Sequence, residues 1–223
     1  MSSKSSRALD DDLAKLQRRL GRCRDASILP GIHQDISLKQ QMITERDGVL
    51  LCVLQGEQHW NIEGDGLCWH KATSHGLSVV SNYETHFPFE QVIADIIMVL
   101  RQMQHESTIF NLRGHCGFLA DTLEKNPKDY VGNDELIQDA TSIAMNHELE
   151  IRRQGGEVTV FTPLTSAIRT GLLPRPGPPI GRLYFTQLTV GWHHFNSVTK
   201  KKPGSGITIN ETNFAHFMIL CSH

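Results

Sequence analysis

Apolar residues recur at helical spacing along much of this chain. Between residues 9 and 23, leucines stand at positions 9, 13, 16 and 20 among charged residues, with aspartates first and arginines last. This spacing predicts an amphipathic helix, and the order of charges suits the helix dipole. A second helix is predicted to open at Pro88, because apolar residues from Phe89 to Met103 share one helical face. Further helices are predicted over residues 109–125 and 134–145.

Alternating apolar and polar residues predict strands in the second half of the chain. Residues 148–153 and 157–161 alternate around two adjacent glycines, which is typical of a β-hairpin. Residues 182–198 are rich in β-formers and are interrupted at Gly191, which predicts two strands that meet at a tight turn. The apolar run at 47–54 fits a short buried strand or a helix, and periodicity does not distinguish them. We therefore expect an α/β (α+β) fold, with helices around a small, mostly antiparallel sheet drawn from about residues 148 to 221.

A glycine-flanked turn, Gly64-Asp65-Gly66-Leu67-Cys68, delivers a cysteine to the start of a predicted helix. The glycines allow positive φ and a close approach of substrate to the backbone. A thiol at a helix N-terminus meets the positive end of the dipole, which lowers its pKa and favours the thiolate. The pattern is that of a nucleophile in a thiol protease. The alternative is a structural cysteine that is buried after an ordinary turn. A catalytic base elsewhere in the sequence would favour the nucleophile.

The candidate partner lies far downstream, in the second strand of the 182–198 segment. His194 and Asn196 are two residues apart, so their side chains point to the same face of the sheet. The imidazole could take the proton of Cys68, and the amide oxygen of Asn196 could accept from the other ring nitrogen. His193 points to the opposite face and is not expected to be the base.

Three blocks of sequence together resemble the ovarian tumour (OTU) family of cysteine deubiquitinases. Residues 64–68 match the family's G-D-G-x-C block, and residues 194–198 match its H-[YF]-[ND]-S-V block. Residues 130–136 are similar to its W-G-G-x-x-E-L segment, in the same chain order, although the first two positions differ. Many relatives carry Asp where this chain has Asn196, which removes a charge and leaves the orienting role intact.

The resemblance implies a papain-like OTU fold over residues 31–223, preceded by an amphipathic helical segment at 1–30. It also implies hydrolysis of isopeptide bonds after the C-terminal Gly-Gly of ubiquitin, with backbone N–H groups of residues 65–68 holding the oxyanion. In relatives the Asp that matches Asp65 helps to shape this loop, and Asp65 could alternatively cap the Cys68 helix. The residues expected to bind substrate are Gly66, Leu67, Trp69, Asn133 and Trp192. For the two tryptophans, packing in the core is the alternative to contact with substrate.

Composition limits the partners and cofactors. The chain has 223 residues, 39% of them hydrophobic, which is enough for one α/β domain with a real core. A net charge of −2 gives no general attraction to nucleic acid or an anionic membrane. Five dispersed cysteines without a C-x-x-C pair indicate a reducing compartment and neither a disulfide framework nor a zinc site. The family resemblance implies binding of ubiquitin or polyubiquitin chains, and we expect a monomer that uses no cofactor or metal.

The N-terminal residues lack the apolar segment of a signal peptide, and the apolar stretch at 92–100 is too short and charged to span a bilayer. We expect a cytoplasmic protein, either of its own cell or of a host, because a specialised export system leaves no readable mark. The serine-rich, charged leader is compatible with a piece of a larger secreted effector. Two other functions stay open: a ubiquitin-binding module with a weak or disabled protease site, and a cysteine protease for a ubiquitin-like modifier or a viral polyprotein.

Overall fold

The computed structural model describes residues 4–129, 132, 134–174, 177–189 and 194–200. These residues form seven α-helices and one five-stranded sheet, which is the mixed α/β structure predicted from the sequence. The helices are α1 (Lys4–Arg22), α2 (Leu29–Leu50), α3 (Cys68–Val80), α4 (Phe89–Glu106), α5 (Phe110–Lys125), α6 (Glu135–Met145) and α7 (Pro163–Thr170). The strands are β1 (Glu57–Trp60), β2 (His147–Arg152), β3 (Val158–Phe161), β4 (Gly181–Leu188) and β5 (His194–Lys200).

The sheet has the strand order β1-β5-β4-β2-β3, and it is mostly antiparallel. Only β2 and β4 pair in parallel among the described strands, with α7 and β3 lying between them in the chain. The predicted hairpin around Gly155 is confirmed as β2 and β3, and the predicted strands on either side of Gly191 are confirmed as β4 and β5. Residues 190–193, where a tight turn is predicted and which include His193, lie outside the described residues.

The segment from residue 47 to residue 60 departs from the sequence interpretation. Residues 47–50 finish α2, and the chain then turns, leaving Leu51 86% and Leu54 60% exposed. Of the two alternatives for 47–54, the buried strand is wrong, and the helix is right for residues 47–50 alone. The strand comes later, as β1, and it pairs with β5 at one end of the sheet. The sheet thus also recruits a segment well before residue 148.

Helix α3 packs against one face of the sheet through an aromatic cluster. The ring of Trp69 lies 4.9 Å from that of Phe185 and 4.7 Å from that of Phe195, measured between centroids. Its Nε1–H donates to Oγ1 of Thr141 on α6 at 3.0 Å. Burying these rings contributes several kcal/mol and fixes α3 on the sheet. As a result, the N-terminus of α3 is held beside the start of β5.

Helices α1 and α2 pack together as an N-terminal hairpin that also contacts the sheet. The carboxylate of Glu45, on α2, accepts from the backbone N–H of Thr189 at 2.6 Å and from its hydroxyl at 2.5 Å. Glu45 is buried, so the hairpin holds the chain where β4 has just ended. No helix in the described part of the chain has an apolar stretch that could cross a bilayer.

Candidate active site

Cys68 is the first residue of α3 and is almost fully buried. The turn before it contains Gly66 with a φ of +86°, a conformation that disfavours residues with a Cβ. A Cβ built on Gly66 would lie 2.5 Å from the backbone oxygen of Lys128. Glycine is therefore needed here for both conformation and space, and the nucleophile turn rests directly on the segment that follows α5.

Asp65 organises the turn before Cys68. One carboxylate oxygen accepts from the backbone N–H of Leu67 at 3.1 Å, and the other accepts from Nζ of Lys71 at 2.5 Å. Burial alone would raise the pKa of Asp65, but these hydrogen bonds outweigh it and lower the pKa. The side chain does not cap α3, whose N-cap residue is Leu67 and has no side-chain cap bond. Since the N–H of Leu67 already donates to Asp65, it is not available to an oxyanion.

The tautomer of His194 follows from its neighbours. Oδ1 of Asn196 accepts from the backbone N–H of Ile62 at 2.9 Å. Because a backbone N–H can only donate, the atom facing it must be the amide oxygen, which fixes the orientation of the side-chain amide. Nε2 of His194 lies 3.0 Å from the same oxygen and must therefore carry a hydrogen. The nitrogen with the lone pair is then Nδ1, and the imidazole is set up as a base at that atom.

The sulfur of Cys68 lies beside the start of β5. The backbone of Phe195, the residue between His194 and Asn196, acts to lower the pKa of the Cys68 thiol, and α3 packs on β5. Asp65 acts electrostatically on both reactive groups, because its charge raises the pKa of Cys68 and also that of His194. The four residues predicted as catalytic, Cys68, His194, Asn196 and Asp65, are thus brought into one electrostatic environment.

Burial sets the protonation states of the reactive pair. It raises the pKa of the Cys68 thiol, and the favourable contribution of the Phe195 and Trp69 backbones is smaller. Burial also lowers the pKa of His194, against the opposing effects of Asn196 and the Ile62 backbone. Both groups are therefore neutral at pH 7. The expectation that the helix N-terminus favours a thiolate is wrong here, because desolvation outweighs the helix end.

The remaining predicted site residues divide into three groups. Gly66 and Leu67 form the nucleophile turn, and Leu67 is buried. Trp69 lies in the core, 1% exposed, so its side chain does not form a wall of a substrate channel. Asn133 and Trp192 lie outside the described residues. Within the described ranges, no group of three or more His, Cys, Asp or Glu side chains could hold a metal ion.

Two contributors to the site were not predicted from the sequence. Ile62 holds the amide of Asn196 through its backbone, which has no side-chain signal. His59, on β1, lies near enough to His194 for the two rings to interact electrostatically. The positions of Ile62 and His59 depend on the pairing of β1 with β5, and no local sequence motif predicts that pairing.

Comparison with known proteins does not assign this chain to a family. The sequence matches no protein-family model and no curated protein. The three sequence blocks and the geometry around Cys68, His194 and Asn196 are therefore the basis for any functional conclusion.

Proposed function

We propose that this chain is a cysteine protease of the OTU type that hydrolyses isopeptide bonds after the C-terminal Gly-Gly of ubiquitin. The observation that carries the chemistry is the oriented imidazole: Asn196 holds Nε2–H of His194, and Cys68 lies beside the same strand. This arrangement supports a nucleophile, a base and an orienting group acting together. The choice of ubiquitin rests on the resemblance of the three sequence blocks.

In the first half of the reaction, Nδ1 of His194 takes the proton of the Cys68 thiol as the sulfur attacks the carbonyl carbon of the terminal glycine. The resulting oxyanion is held by backbone N–H groups of the nucleophile turn, excluding that of Leu67, which donates to Asp65. The imidazolium of His194 then gives its proton to the departing lysine amine. The C–N bond breaks, and a thioester joins ubiquitin to Cys68.

In the second half, a water molecule replaces the amine. Nδ1 of His194 removes a proton from this water as its oxygen attacks the thioester carbonyl. The C–S bond breaks, the sulfur recovers a proton from the imidazolium, and ubiquitin leaves with a free carboxyl group. Because Asn196 accepts from Nε2 throughout, the same ring nitrogen can serve in both half-reactions.

A second candidate function is a ubiquitin-binding module with weak protease activity. The observation that favours it is the burial of both groups, which raises the pKa of Cys68 and lowers that of His194. A thiol is a much poorer nucleophile than a thiolate. In this version, productive binding of ubiquitin occurs but turnover is slow.

Ubiquitin bearing a C-terminal electrophile tests the proposal directly. The wild-type protein should gain the mass of one ubiquitin, and Cys68→Ala should gain none. Cys52→Ser is a matched control. Cys52 is a half-buried thiol that donates to the backbone oxygen of Arg153 and is not one of the proposed catalytic residues, so this variant should still react. Cleavage of diubiquitin by the same proteins then measures turnover.

The other outcomes separate the alternatives. A stable complex with ubiquitin that forms no adduct favours the binding module. An adduct with a ubiquitin-like modifier, in the absence of one with ubiquitin, changes the substrate and keeps the chemistry. An adduct that persists in Cys68→Ala overturns the assignment of the nucleophile.

A further inference from the structure

His59 lies on the same face of the sheet as the catalytic side chains of β5. In the antiparallel pairing of β1 with β5, His59 is opposite Val198. Val198 is two residues after Asn196 and four after His194, so all of these side chains point to one face. His59 therefore occupies the face of the sheet that carries His194 and Asn196, although it lies far from them in sequence.

The ring of His59 reaches across β5 to the next strand. Its Nε2 lies 2.9 Å from Oγ1 of Thr186, on β4. In the strand order β1-β5-β4, β5 separates these two residues, and Thr186 is directly opposite Asn196. The hydrogen bond therefore passes over the backbone of β5 at the position of the orienting residue, and it ties β1 to β4.

This cross-strand bond restrains the loop that carries the nucleophile. Three residues after His59, the backbone N–H of Ile62 donates to Asn196 at 2.9 Å, and Cys68 follows at the end of the same loop. The loop is thus attached to the sheet at His59 and again at Ile62. The strand before the loop also stays paired with β5 as far as Trp60, so loss of the His59 bond would not detach the loop. It would remove the side-chain bond that joins β1 to β4 and so loosen the position of Ile62 relative to Asn196.

His59 is uncharged at neutral pH, which is compatible with its position near His194. Burial, and to a smaller degree the nearby His194, lowers the pKa of His59 to about 4. The ring is therefore neutral at pH 7 and adds no positive charge beside an imidazolium at His194. The charged group that acts on His194 from the nucleophile turn is Asp65, which favours the imidazolium.

We propose that His59 is a positioning residue for the triad: by bonding Thr186 across β5, it holds the nucleophile loop so that Ile62 fixes Asn196, and Asn196 fixes the ring of His194. This inference rests on the proposed function for its kinetic consequence. Its structural part, the fixed ring of His194, is measurable without any substrate.

Two substitutions remove the bond from opposite ends. His59→Leu removes the ring nitrogen, and Thr186→Val removes the hydroxyl with almost no change of shape. We expect each to lower kcat by between about tenfold and a hundredfold with little change of KM, since a small misplacement of a catalytic group has an effect of this size. The double variant should be no worse than the more severe single one, because both act through one bond. Thr186→Ser keeps the hydroxyl and should retain activity.

Thr170→Val is the matched control. Thr170 is likewise a buried threonine, but its hydroxyl donates to the backbone oxygens of Ser166 and Ala167 within α7, which packs on α6. This variant should lose stability to a similar extent and keep kcat. If His59→Leu fails to fold, Thr186→Val decides the question alone.

The substrate-independent measurement is the ring N–H proton of His194 in 15N-labelled protein, assigned by its loss in His194→Ala. Its exchange with water should be slow in the wild type, Thr186→Ser and Thr170→Val, and faster in His59→Leu and Thr186→Val. Unchanged exchange together with unchanged kcat would overturn the positioning role. If the wild type does not react with ubiquitin at all, the proposed function fails, while the exchange result still decides the role of His59.

Discussion

The amide oxygen of Asn196 receives two hydrogen bonds, one from Nε2 of His194 at 3.0 Å and one from the backbone N–H of Ile62 at 2.9 Å. Through this one atom, the loop that leads to Cys68 is joined to the strand that carries the base. An uncharged amide is sufficient for this, because its orientation is fixed by a backbone donor that cannot be reversed. Asn196 therefore both selects the tautomer of His194 and fastens the loop.

Two replacements of Asn196 should distinguish its orienting effect on the His194 ring from the effect of a negative charge at this position. Asn196→Ala should lower turnover on ubiquitin clearly less than His194→Ala does, since the base itself survives. Asn196→Asp should stay active, and its negative charge should raise the pKa of His194, so that the acid limb of the pH profile of kcat/KM moves to higher pH. Each pKa unit corresponds to about 1.4 kcal/mol. If Asn196→Ala leaves kcat/KM unchanged at every pH, another group orients the ring of His194.

The neutral resting pair predicts slow chemical modification of Cys68. Because burial raises the pKa of this thiol, alkylation by iodoacetamide at pH 7 should be slower than for an ordinary exposed thiol. Its rate should rise steeply only in alkaline solution, and His194→Ala should change the rate at pH 7 little. The modified peptide can be quantified by mass spectrometry. Rapid alkylation at pH 7 that is lost in His194→Ala would instead demonstrate a preformed thiolate–imidazolium pair.

Substitution of Gly66 should damage both stability and activity. Gly66 and Gly56 share a φ of +86°, but a Cβ at Gly56 meets no atom within 4 Å, whereas one at Gly66 meets the Lys128 backbone. Gly56→Ala should therefore destabilise the fold by about 1 kcal/mol, through the positive φ alone. Gly66→Ala should lose more free energy of unfolding, and it should also lose turnover because the nucleophile turn shifts. Urea unfolding and diubiquitin cleavage measure the two effects; equal losses in both variants would contradict this account.

Buried histidines should make the fold sensitive to mild acid. Burial lowers the pKa of His70 and of His75 to about 4, from an ordinary value of 6.5. Between these two values the unfolded chain binds protons that the folded chain does not, so stability is complete above pH 6.5 and falls as the pH decreases toward 4. The loss is on the order of 3 kcal/mol for each ring. Urea unfolding from pH 7 to pH 4.5 should show this slope.

The control for this pH dependence is His70→Leu, which removes one of the buried rings whose pKa is lowered, a set that also includes His59 and His194. The slope of unfolding free energy against pH should become shallower in this variant. An unchanged slope would assign the acid sensitivity to other groups.

The sequence predicts those parts of the fold that have strong local signals. Helix α4 was predicted because Pro88 precedes an uninterrupted apolar stripe, and the β2–β3 hairpin because Gly155 and Gly156 separate two alternating runs. Helix α2 was missed, since Pro30 and Gly31 stand at its start and its apolar residues do not form one clear stripe. Strand β1 is polar and short, and its conformation depends on pairing with β5, which local sequence does not encode.

The same distinction applies to the site. Cys68, His194 and Asn196 were identified by residue type and spacing, and the structure brings them into one region. The roles of Ile62 and His59 arise from contacts between distant segments, so spacing alone could not indicate them. The pKa of Cys68 was predicted in the wrong direction, because the helix N-terminus is visible in the sequence and the depth of burial is not.

The pairing of β1 with β5 also has a consequence for when the thiol chemistry can begin. Glu57 lies opposite Lys200, so this edge of the sheet closes only by joining segments that are very far apart in the chain. Contacts of this kind require the largest loop closure and form slowly relative to local helices. A ribosome-bound chain that has emerged only as far as β4 already contains Cys68 but neither His194 nor Asn196. Under the proposed function, the chain therefore contains its nucleophile before the groups that would activate it, and cleavage would begin only after β5 has been made and paired.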